Sequence, residues 1–318
     1  VATPVVLYDW AHPQQHQFAQ LTKILARRTN LDRRFRAYHS RVQMELALQR
    51  RAIKDQLYEA LNRNCLSSYA FIQWQRTIRW KHADHPLCTV GSLLRGGRFN
   101  IGSSIDATTF PPFSAFYAAA DKDTALQEAL GQEAFHSGLD AHDLALAKPD
   151  SVLTFSVSGC LDRVLDLHDV ASVRAFAALI KDFKIPPALA REAKRLPVVA
   201  PRIVKSPEKL IESLLNPNWR HVETLCEVPA NSQLFGQLVM QAGIEGILYP
   251  SKLTDKDCLA IFPRNFAGGP SFIKLDDDCP DSTVGPERID MNNWEVCERT
   301  SADVRASPFA RAASASSA

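Results

Sequence analysis

The sequence predicts an α+β fold carrying an added helical region at its N-terminal end. Apolar residues recur at helical period from Leu31 to Leu61. Beyond Leu66 the texture changes to short β-type runs with helices between them. These runs lack the regular β–α alternation of a doubly wound sheet, which points to a mixed-sheet core.

The elements follow in order. Helices are expected at 14–29 and 31–63. Leu31, Phe35, Tyr38, Val42, Leu46, Ile53, Leu57 and Leu61 fall on one stripe, with most of the arginines off it. Such a stripe must cover either the rest of the protein or a second chain, so a homo-oligomer is an open option. Strands are expected at 151–157, 163–167, 246–249, 258–262 and 271–275, and a short one around Tyr117. Helices fit at 122–136, 170–183, 206–215 and 232–243. Prolines 186, 187, 197, 201, 217 and 229 punctuate the middle. The Ala/Ser-rich stretch from Ser301 to Ala318 reads as a disordered tail. The domain reading is therefore a helical extension at 1–68, a mixed-sheet body at 69–298 and a tail at 299–318.

The 318 residues are 46% hydrophobic and 23% charged, as in an ordinary globular protein. No apolar run reaches the roughly 20 residues of a membrane helix. Val1-Ala2-Thr3-Pro4 opens no signal peptide, so a cytoplasmic protein is expected. The seven cysteines are odd in number and scattered, which fits reduced, mostly buried thiols. No Cys or His spacing suggests a metal site. The net charge of +2 hides a division: residues 1–90 hold 14 Lys/Arg against 6 Asp/Glu, and the remainder is acidic. A basic helical face or an acidic partner both accommodate this.

The chemistry concentrates between 77 and 128. Gly96-Gly97 permits close backbone approach, and Arg98 directly after it is placed to grip a phosphate or carboxylate. The spacing is not the dinucleotide fingerprint G-x-G-x-x-G. Tyr117 offers a flat ring in a strand of small residues. Glu128 lies one turn into the next helix, which Asp121 or Asp123 could cap.

Arg79, then Gly96-Gly97-Arg98-Phe99-Asn100, then Phe116-Tyr117, then Glu128 eleven residues on, together resemble the signature of the RES domain family. That family is named for an arginine, a glutamate and a serine. Its usual pattern has Gly-Gly-Arg-Trp-Asn, so Phe99 replaces a tryptophan. The run from Gly236 to Ser251, and Leu259-Ala260-Ile261-Phe262-Pro263 after it, resemble the family's helix, glycine turn, strand ending in Pro-Ser, and following strand. The likeness spans roughly 69–275. Its departures are the N-terminal helices, the insertion at 107–112 and the acidic loop at 276–278.

The resemblance implies an ADP-ribosyltransferase-like fold and a bacterial toxin that depletes NAD by splitting its nicotinamide–ribose bond. It also implies a partner: an Xre-like antitoxin or other immunity protein. NAD is then the substrate and no metal is required. Glu128 would stabilise oxocarbenium character on the ribose. Arg79 and Arg98 would bind phosphate, Tyr117 would stack on nicotinamide, and Asn100 would contribute to nucleotide binding. The serine is Ser251, with Ser232, read as an N-cap of its helix, as the other option. Water, phosphate or a macromolecule could be the acceptor, the last making the protein an ADP-ribosyltransferase. A nucleic-acid-binding protein built on the basic helices is the non-enzymatic alternative.

Overall fold

The computed structural model describes residues 15–137, 152–196, 203–220, 227–277 and 285–298. The tail reading at 299–318 lies outside them. Helix α1 (Gln15–Ala52) runs unbroken through Asn30, where two helices were expected. The break comes at Ile53 instead, whose φ of −123° and ψ of 28° leave the helical region before α2 (Lys54–Asn62).

The apolar stripe covers the protein's own body. Tyr38 and Val42 are buried against Leu189, Ala193 and Leu196 of a later helical segment. Gln49 exchanges two 2.8 Å hydrogen bonds with the backbone of Lys184. Arg36 pairs with Glu227, and Arg41 with Glu192 at 2.5 Å. These exposed pairs are worth about 0–1 kcal/mol each. The attachment therefore rests on the apolar contacts. Leu57 and Leu61 of α2 are fully buried in the largest core, each contributing roughly 1.5–3 kcal/mol.

Seven strands form the sheet, in the order β1 (Leu66–Arg79), β2 (Phe116–Ala119), β5 (Asp257–Ile261), β4 (Gly246–Pro250), β3 (Val152–Asp166), β6 (Phe272–Leu275) and β7 (Arg288–Asp290). β1 also pairs antiparallel with β3, from Leu66↔Val164 to Arg79↔Val152, so five strands close on themselves. A bulge at Ile72-Gln73 interrupts that ladder; Gln73 has φ 54° and donates its N–H to Ser158 Oγ at 3.0 Å.

The runs expected at 151–157 and 163–167 are one 15-residue strand, β3. Gly159 lies in the middle of that strand. It marks a close approach, where a Cβ would strike the Phe71 ring and the Phe272 carbonyl.

The sheet separates two cores. Inside the closed strands lie Phe71, Phe116, Phe155, Val157, Leu161, Leu259 and Ile261. On the other side the residues at alternate positions, Tyr117, Ala119, Ile247, Tyr249, Cys258 and Ala260, meet the helices. Those helices are α2, α5 (Ala171–Ile180), α7 (Pro207–Leu214) and α8 (Asn231–Gln241), the last three lying where helices were expected. Three more helices lie among the described residues: α3 (Val90–Arg95), α4 (Lys122–Ser137) and α6 (Pro187–Ala193). The sequence predicted α4 but neither α3 nor α6, which are too short to carry a period. The five described cysteines are all free thiols.

Candidate active site

Helix α3 ends at Gly96, whose φ of 69° suits glycine. Gly97 then turns the chain back through a two-way backbone bridge with Asn100. The Tyr117 ring lies against Gly97, leaving no space there for a Cβ. Tyr117 accepts a hydrogen bond from the Phe99 N–H at 3.0 Å and donates its own to Asn100 Oδ1 at 2.9 Å. The Asn100 amide donates to the carbonyls of Ser92 and Phe113. Asn100 is completely buried and its polar atoms are occupied by the protein, so its side chain braces the loop.

Helix α8 supports the loop from behind. Gln233 Nε2 donates to the carbonyls of Gly97 and Asn100 at 3.2 and 3.1 Å. Gly236 lets the helix backbone come against Phe99 O.

Arg98, at the tip, is buried and donates one Nη1 hydrogen bond to Asn216 O at 3.0 Å. Its Nε is buried with no hydrogen-bond partner among the described residues, and the same holds for Ser232 Oγ. Buried donors of this kind are costly unless something fills them. Ser232 is the second residue of α8, not its N-cap. Ala230 holds that position and donates its N–H to Gln233 Oε1. The easy structural reading of Ser232 therefore falls away.

The second half of the site comes from α4 and β4. Asp121 caps α4 by accepting from the Thr124 N–H at 2.7 Å. Thr124 and Thr254 join their hydroxyls at 2.8 Å, tying the helix start to the turn after β4. In that turn Ser251 is fully buried. Its hydroxyl donates to Glu128 Oε1 at 2.6 Å and accepts from the Leu253 N–H at 3.1 Å. Ser251 thereby ties the Glu128 carboxylate to the turn after β4.

Tyr249 links the two halves, and sequence reading missed it. Two residues before Ser251 on β4, it stands edge-on to Phe99 with 4.9 Å between centroids. Burial pushes its hydroxyl well above the usual tyrosine range, with the charges of Cys258 and Glu128 adding to the effect. Burial likewise raises Tyr117, while Arg220 and Arg98 oppose the rise and Glu128 supports it. Both phenols thus stay protonated at neutral pH. Arg98 and Glu128 thus act electrostatically on both phenols, in opposite senses.

Arg79 ends β1 on the face shared with Gln75, which pairs with Ala119 beside Tyr117. Arg76, three residues earlier, lies on the opposite face inside the closed strands. It is buried, donates to the carbonyls of Tyr117 (3.1 Å) and Cys88 (2.7 Å), and stacks on Phe116 at 3.9 Å. Burial lowers its pKa to about 10, still charged at neutral pH. Alternation along β1 was the signal that separates the two arginines. The insertion at 107–112 is tied at its start: Asp106 accepts from Thr108 and Thr109, and Phe110 packs on the larger core.

This arrangement of Gly-Gly-Arg loop, tyrosine, glutamate and serine lies within residues 73–278, which match the RES domain. The chain belongs to the RES domain family. Comparison with curated proteins gives no match. Among solved structures, the M. tuberculosis MbcT–MbcA toxin–antitoxin complex contains a similar chain, 13% identical over 77% of this chain and 98% of that one, at a TM-score of 0.41. Assignment of this RES domain rests on the family match and not on that looser likeness. No described helix is long and apolar enough to cross a membrane.

Proposed function

We propose that this RES protein cleaves the nicotinamide–ribosyl bond of NAD. The observation that carries the reading is the 2.6 Å hydrogen bond from Ser251 to Glu128, a carboxylate that acts on the same buried tyrosines, Tyr117 and Tyr249, as the buried Arg98. Bond cleavage builds positive charge on the ribose, and a carboxylate already fixed in position stabilises it without reorganising. Arg98, with Nε unpartnered, suits a phosphate oxygen of the dinucleotide. Ser232 Oγ, buried and unpartnered, is a candidate for a further polar contact. Tyr117 has its hydroxyl occupied and offers its ring; Asn100 acts by bracing the loop. Arg79, on the same side of the sheet as Tyr117, is assigned to the substrate phosphates.

The family resemblance extends the reading to a toxin that arrests growth by depleting NAD and is restrained by an Xre-like antitoxin. Incubating purified protein with NAD and separating the products by chromatography tests the chemistry. Nicotinamide with ADP-ribose indicates water as acceptor; an ADP-ribose phosphate, formed only with phosphate present, indicates phosphorolysis. ADP-ribose found by mass spectrometry on a macromolecule would shift the reading to transfer. Folded Glu128→Gln and Arg98→Ala variants that turn over NAD normally would refute the residue assignment.

A further inference from the structure

Arg220 lies far along the chain from the Gly-Gly-Arg motif, yet it grips that motif's entrance. Its Nη1 donates to Arg95 O at 3.2 Å and its Nη2 to Gly96 O at 3.1 Å, a two-pronged contact that only a guanidinium geometry makes at once. Its plane rests on the buried Trp219, 4.4 Å from the ring centroid, which restricts where the fork can point. Four residues earlier, Asn216 O takes the Nη1 hydrogen bond of Arg98. The turn from Asn216 to Arg220 therefore holds the loop at two places: the carbonyls leading into it and the side chain at its tip. Asn216 is itself fixed by the Asn218 N–H, which donates to its Oδ1 at 2.8 Å.

We infer that Arg220 is a positioning residue for dinucleotide binding: it fixes the Gly96–Gly97 turn so that Arg98 is presented to a substrate phosphate. The inference rests on the NAD reading above. Arg220 acts through the loop backbone, while the Ser251–Glu128 pair is anchored separately by α4 and β4. Loss of Arg220 is therefore expected to weaken binding and leave the bond-breaking step largely intact.

The experiment measures NAD binding by calorimetry in the Glu128→Gln protein, with and without Arg220→Gln, alongside KM and kcat for Arg220→Gln alone. Expected are a dissociation constant and a KM raised about tenfold or more, the scale of one charge-assisted hydrogen bond, and a kcat within about threefold of wild type. Arg220→Lys keeps the charge and the Trp219 contact but cannot span both carbonyls, so it should give the same split; it decides the matter if Arg220→Gln does not fold. Unchanged affinity in either folded variant overturns the inference, as does a fall confined to kcat. Failure of the Glu128→Gln protein itself to bind NAD sinks the nucleotide reading and this inference with it, an outcome distinct from binding that ignores Arg220.

Discussion

Replacing Tyr117 by phenylalanine removes one oxygen and keeps the ring, so it separates stacking from bracing. The hydroxyl serves two groups that are completely buried, the Phe99 N–H and Asn100 Oδ1. Each, left without a partner, costs about 1–3 kcal/mol, so the pair amounts to roughly 2–6 kcal/mol. For a chain of this size that corresponds to a fall in Tm on the order of 5–15 °C. The loosened loop also carries Arg98, so KM for NAD should rise while the retained ring keeps any stacking on nicotinamide. Thermal unfolding followed by circular dichroism, with steady-state kinetics on the same preparations, measures both. A Tyr117→Phe protein that melts within about 1 °C of wild type would refute the view that this hydroxyl holds the loop.

Three further outcomes are expected. Ser251→Ala removes the hydroxyl that donates to Glu128 and should lower kcat about 10- to 100-fold with KM within about threefold, checked by initial rates across NAD concentrations. Gly236→Ala sets a methyl against the Phe99 carbonyl, a backbone atom that cannot turn aside, and should cost on the order of 1–3 kcal/mol in urea unfolding. Tyr117 and Tyr249 have pKa values raised by burial, so the folded state disfavours their ionised forms. Their contribution is fully present below the unfolded tyrosine value of about 10 and is lost as pH rises beyond it. Unfolding midpoints should therefore fall as pH rises above about 10, less steeply in Tyr249→Phe, and an equal slope in that variant would count against the assignment.

The parts of the site legible in sequence are those marked by residue type in a fixed order. Gly96, Gly97, Arg98, Tyr117, Glu128 and Ser251 could be picked out, and the structure brings Ser251 and Glu128 into contact. Asn100 was recognised for its place in the motif, but its task depends on partners at 92, 113 and 117 that no local pattern reveals. Gln233, Tyr249 and Arg220 were invisible for the same reason: each acts across a long stretch of chain on backbone or ring atoms. In the fold, helices with a clear period were located well. The 14-residue β1 was not foreseen as one strand, because its burial follows no simple alternation across the Ile72-Gln73 bulge and much of its first half is exposed. The division between two helices was placed at Asn30, whereas α1 continues through it and the backbone leaves helical geometry only at Ile53.

The long β1–β3 ladder has a practical consequence for anyone trimming this protein. The matched domain begins at residue 73, inside the bulge, whereas residues 66–71 are already paired with 159–164. Expression from residue 73 would strip half a strand from β3 and uncover Leu161 and Val164, which are completely buried in the intact chain. A bare, apolar strand flank of that kind recruits other chains edge to edge. Insolubility of such a fragment would then report on a severed ladder, and an expression boundary upstream of Leu57 would keep both the strand and the helix that seals the larger core.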